Sequence, residues 1–147
     1  MSGIDIVKAA LAAAEAGDFA KVSAMFTDDM QFAGPVPNPV GKKEFIGIES
    51  AMVAGIPDWK FNVSDLKEDG DKVTGVLQIT GTQTKALQLP FPGMAPVPPS
   101  GKHVSLPKEP ATFTIRDGKI SRLETAATPG AGVMGVLSQL GVPAPTM

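Results

Sequence analysis

A chain of 147 residues has the length of one domain, and a hydrophobic content of 43% supports a buried core. With 13 Lys and Arg against 15 Asp and Glu, the formal net charge is -2. No basic tract exceeds the pair Lys42–Lys43, which argues against a nucleic-acid surface. Cysteine is absent, which removes disulfides and thiolate chemistry. The N-terminus shows no signal-peptide pattern, and no apolar run approaches the roughly 20 residues of a membrane span. The expectation is therefore a cytoplasmic protein with neither a nucleic-acid nor a membrane partner.

Ser2 and Asp5 form a capping-box pattern ahead of Ile4, Val7, Leu11 and Ala14, whose spacing predicts a helix that Gly17 ends. Asp18 caps a second helix carrying Phe19, Val22, Met25 and Phe26 inward. Asp28–Asp29 reads as a turn rather than a metal clamp, and Met30–Phe32 as a short strand. Residues 34–41 hold three prolines and two glycines and predict an irregular loop. A third helix follows at about 42–54, with Phe45, Ile48 and Met52 on one face, stopped by Gly55 and Pro57.

From residue 57 to residue 127 the hydrophobic period changes to two. A long strand is expected with Val73, Leu77, Ile79 and Gln83 on one face, and with Gly75 and Gly81 permitting it to bend. Residues 90–101 contain five prolines and predict a stiff exposed loop, a candidate rim for a pocket. Strands resume at His103–Leu106 and Ala111–Ile115, Asp117–Gly118 makes a hairpin turn, and a last strand runs from Ile120 to about Ala127. A short helix near 133–140 ends at Gly141. Residues 1–147 thus form one α+β domain, helices first and then a curved antiparallel sheet.

Several stretches carry a family resemblance. They are Gly17-Asp18-Phe19 with Phe26 and Asp28–Asp29, the Gly-Lys-Lys-Glu-Phe run at 41–45, and Pro57-Asp58-Trp59-Lys60-Phe61. Further on come residues 79–84, 99–102 and 117–120, and Gln139-Leu140-Gly141. In this order they resemble the SnoaL-like polyketide cyclase group of the nuclear transport factor 2-like superfamily. The resemblance implies a cone-shaped fold with three N-terminal helices packed on a strongly curved antiparallel sheet and a short C-terminal helix. It also implies an internal pocket for a small, mostly apolar, polycyclic or carbonyl-bearing molecule, and a homodimer through the outer sheet face. The cyclases close rings by aldol chemistry with a carboxylate base and a histidine. Here Gln83 stands at the histidine position, and the interval 125–138 that should hold the aspartate contains no Asp or Glu. Glutamine exchanges hydrogen bonds but does not take a proton. The ketosteroid isomerases of the same superfamily pair an Asp base with a Tyr donor, and this chain has no tyrosine.

The remaining catalytic candidates are Gln83, Glu124 and His103. Gln83 points inward and either contacts a ligand or satisfies nearby backbone. Glu124 is the last acid; it lies on the outer face beside Arg122, or meets a dimer partner, or turns inward as an acid or base. His103, the one histidine, is a surface residue or a base at the pocket mouth. Candidate ligand-binding residues are Trp59, Phe61, Phe32, Phe113, Met94, Met134 and Thr128, each with plain packing as the alternative. No metal site and no cofactor is expected, since one His and no Cys leave only scattered carboxylates. Three functions remain open: an enzyme on a small hydrophobic carbonyl compound, a binding protein without chemistry, and a structural dimer module. The ligand-based readings require a hollow beside Gln83.

Overall fold

The computed structural model describes residues 2–34, 39–91, 94–126 and 128–142. Helix α1 (Gly3–Glu15) starts where Ser2 Oγ accepts the Asp5 N–H at 3.1 Å. That bond satisfies one of the amides a helix start leaves open. Asp18 does the same for α2 (Phe19–Ala24), accepting from Lys21 N–H at 3.2 Å. Strand β1 (Phe26–Ala33) is longer than the predicted 30–32 and absorbs the Asp28–Asp29 segment. The two-residue β2 (Val40–Gly41) leads directly into α3 (Lys42–Gly55). The remaining elements are β3 (Ser64–Asp69), β4 (Lys72–Leu77), β5 (Thr80–Thr82), β6 (His103–Ser105), β7 (Glu109–Arg116), β8 (Lys119–Thr125) and α4 (Gly132–Gln139). The end of the last predicted strand at Ala127 lies outside the described residues.

The expected strongly curved antiparallel sheet is not what forms. Six strands make one open sheet in the order β2-β1-β8-β7-β4-β3, and β5 and β6 pair separately. The main sheet is mixed, because β1 runs parallel to β8. The predicted long strand breaks between Leu77 and Thr80, and its two parts join different sheets. Its two glycines serve close packing instead. A Cβ on Gly75 would meet Leu66 Cδ2 at 2.9 Å, and one on Gly81 would collide with Ile56 Cγ2. The Asp117–Gly118 turn forms as predicted, with both residues at positive φ, 54° and 74°.

Helices α1 and α3 lie across one face of the main sheet, α1 against β3, β4 and β8, and α3 against β1 and β2. Burial alternates along β7, where Glu109, Ala111 and Phe113 face inward. The opposite face carries Lys72, Thr74, Thr112, Thr114, Arg122 and Glu124, all exposed or half-buried. Among the described residues no helix is long and apolar enough to cross a membrane.

Candidate functional site: an aromatic cavity with two carboxyls

Between the helices and the inner sheet face lies a hollow of about 110 Å³. A single water needs only some 10–15 Å³ on this kind of measure, and an apolar cavity of about 150 Å³ accepts benzene. The hollow therefore has the scale of one aromatic ring. The chain contains seven Phe, one Trp and no Tyr. All of them line this space: Phe19, Phe26, Phe32, Phe45, Trp59, Phe61, Phe91 and Phe113. Phe45 packs obliquely on Phe32 and Phe26, with ring centres 4.9 and 5.9 Å away. Trp59 meets Phe61 edge-on at 6.1 Å.

Two acids interrupt this wall. Helix α3 presents Phe45, Ile48 and Met52 to the hollow, and Glu49 falls on the same stripe, one turn after Phe45. Glu109 opens β7 directly opposite Leu77, and both line the cavity. Glu109 is 5% exposed. No Lys, Arg or His is among the described lining residues. Burial pushes the Glu49 carboxyl up to about 7, and the nearby Glu109 charge adds to the rise. Burial raises Glu109 as well.

The cavity also collects unpaired polar atoms. Among the described residues, three buried side-chain atoms lack a hydrogen-bond partner: Glu49 Oε2, Trp59 Nε1 and Thr125 Oγ1. All three residues line the hollow. On β8, Thr125 pairs with Ala111, one inward position along β7 from Glu109. Buried polar groups are paired in the great majority of cases, and these three residues share one cavity.

The sequence candidates distribute unevenly around this site. Trp59, Phe61, Phe32, Phe113 and Met134 lie in the lining; Met134 is 37% exposed and marks its outward end. Met94 and Thr128 are outside it, and Thr128 Oγ1 donates to Ala126 O at 3.4 Å. Gln83 is fully buried but elsewhere. Its Nε2 donates to the carbonyls of Lys85, Val97 and Pro98 at 3.1–3.2 Å, and its Oε1 accepts from Ser100 Oγ at 2.6 Å. The room required beside Gln83 is thus occupied by the chain itself, so the ligand readings built on Gln83 fall, and any ligand reading has to rest on the separate aromatic hollow. Of the described part of the predicted 90–101 loop, Pro90, Ala95, Pro96 and Pro98 to Gly101 are exposed as expected, while Val97 is buried and bridges back to Leu87.

Glu124 lies on the outer face and pairs with Arg122. His103 is exposed on β6, with Nδ1 3.1 Å from Thr82 Oγ1. Thr82 N–H in turn donates to Asp58 and holds that carboxyl below its ordinary range. Neither Glu49 nor Glu109 stands among the sequence candidates. Their signal was positional: each acid sits in register with an apolar stripe, at 45/48/49/52 and at 109/111/113.

The model of the SnoaL-like domain matches residues 7–123. The chain belongs to this family. No curated protein sequence matches it. Several proteins of known structure share its fold. IdmH of Streptomyces antibioticus, a candidate polyketide cyclase, superposes with a TM-score of 0.71 at 22% identity, over 97% of this chain and 100% of its own. AclR of Streptomyces galilaeus, a candidate hydroxylase, gives 0.71 at 19% identity, over 95% and 96%. A candidate SnoaL-like polyketide cyclase from Jannaschia Sp. CCS1 gives 0.67 at 22% identity, over 96% and 92%. At these identities the likeness is one of fold.

Proposed function

We propose that this SnoaL-like protein is an acid–base catalyst acting on an uncharged apolar carbonyl compound held in the aromatic cavity. One observation carries the reading: the coupled carboxyls of Glu49 and Glu109 in a wall that is otherwise almost wholly carbon. Two acids in one dry site share protons unequally, and the two halves suit the two roles of proton transfer. Burial raises both carboxyls and the Glu109 charge adds to the rise at Glu49, an order that suits Glu49 as the proton donor and Glu109 as the acceptor.

Glu109 takes a proton from the carbon beside the substrate carbonyl. The C–H electron pair becomes the C=C of an enol, while the carbonyl oxygen is held by the Glu49 O–H and receives its proton. Reversal returns both protons. An enol so formed is the nucleophile that ring closure needs, in agreement with the cyclase names of several relatives. The volume of the hollow supports a substrate with one aromatic ring over a fused polycycle.

The test uses phenylacetone in D2O, with loss of its methylene proton signal followed by NMR. The protein accelerates exchange over buffer, and Glu109→Gln lowers the rate by roughly 10²–10⁴-fold. Exchange no faster than in buffer, or unchanged by that substitution, overturns the reading.

A further inference from the structure

We propose that the indole N–H of Trp59 is a specificity-determining donor that selects ligands bearing a hydrogen-bond acceptor over apolar ligands of the same shape. The inference deepens the acid–base reading and rests on the same cavity. It differs in assigning recognition, and not proton transfer, to a group that cannot titrate.

The side chain of Trp59 is 3% exposed, yet its Nε1 has no partner. An indole nitrogen is a donor only, and a buried one usually finds an acceptor. Nothing in the local structure suggests that the ring has slack to find one. Trp59 N–H donates to Ile56 O at 3.0 Å. On one side of it, Asp58 accepts the Thr82 N–H at 2.6 Å. On the other, Lys60 and Thr80 exchange two backbone hydrogen bonds of 2.9 and 3.0 Å. The segment is fixed to β5 on both flanks, and Phe61 braces the indole edge-on.

The nearest available chemistry does not serve it either. Glu49 lines the same hollow with its Oε2 unpartnered, so the carboxyl and the indole do not satisfy each other. A guest oxygen can supply that acceptor in place of water. A ketone, ester or quinone oxygen supplies one. A hydrocarbon leaves the donor buried and unpaired, and an ammonium offers only more donors. Sites built around a buried donor reject the analogue that lacks its partner far more strongly than a carbon wall rejects a change of size.

The chain has one tryptophan, so its 15N-labelled form gives one indole N–H signal. The probes are phenylacetone and the alkene in which C=CH2 replaces its carbonyl. The ketone moves the indole proton downfield and binds roughly 10–100-fold tighter than the alkene. In Trp59→Phe the two bind alike, and alkene affinity stays within a few-fold of the parent. Should that variant fail to fold, the indole signal of the parent protein decides alone. An indole proton unmoved by saturating ketone, moved equally by the alkene, or a cavity that binds neither probe overturns the proposal. Ketone binding with the indole shift but without proton exchange sinks the acid–base reading and leaves this one standing. Exchange without the shift does the reverse.

Discussion

Two buried polar clusters in this molecule are built in opposite ways. Around Gln83 every polar atom of the amide is used: three carbonyls take its NH2 group and a serine hydroxyl meets its oxygen. Around the aromatic hollow a carboxyl oxygen, an indole nitrogen and a threonine hydroxyl are all left over. A saturated cluster has spent its bonding capacity on holding the chain; on the proposed reading the unsaturated one keeps that capacity for a guest. Inward direction alone therefore does not distinguish a structural amide from a functional group.

The comparison breaks if Gln83 matters to chemistry beyond its part in folding. Gln83→Ala removes four hydrogen bonds and opens a void, and should cost about 3–4 kcal/mol in a urea unfolding series. Phenylacetone exchange per folded molecule should be unchanged; a loss there would assign Gln83 to the site.

The next effect is expected in Glu49→Gln. In the folded protein Glu49 keeps its proton up to about 7, against 4.5 in a free carboxyl. Between those values the folded state binds more protons than the unfolded one, so this group lowers stability as pH rises and its full cost is present above about 7. The substitution should raise stability by about 2–3 kcal/mol at pH 8 and by little at pH 4, read from thermal melts. A gain independent of pH would mean that Glu49 does not ionise in the cavity. The same titration gives exchange activity that falls as pH rises through about 7, because the protonated partner is lost.

The smallest effect sharpens the saturated side. Ser100 Oγ donates to Gln83 and accepts from Lys102 N–H at 3.2 Å. Ser100→Ala should cost about 1 kcal/mol in the same urea series, and a value near zero would show that the cluster tolerates a missing member.

The local parts of this architecture were legible in the sequence. The caps at Ser2 and Asp18, the α3 stripe and the Asp117–Gly118 turn are set by neighbours a few residues away, and they appear where periodicity puts them. The sheet was less legible. Gly75 and Gly81 read as hinges because a glycine in a strand allows both bending and close approach, and only the packing of Leu66 and Ile56 against them decides which. The fate of Gln83 was also hidden, since it depends on Lys85, Val97, Pro98 and Ser100 meeting its amide. Glu49 and Glu109 occupy inward positions in plain view. Their coupling joins a helix to a strand 60 residues later, and no local pattern reports it.

The parallel pairing of β1 with β8 has a consequence for how the chain is made. Phe32 is aligned with Leu123, so an early strand waits for almost the last one. Until residues near 120 have left the ribosome, β1 has only the two-residue β2 beside it, and the phenylalanines at 26, 32 and 45 have no sheet to close over them. The nascent protein carries that greasy surface through most of its synthesis, an arrangement that predicts slow folding for its size.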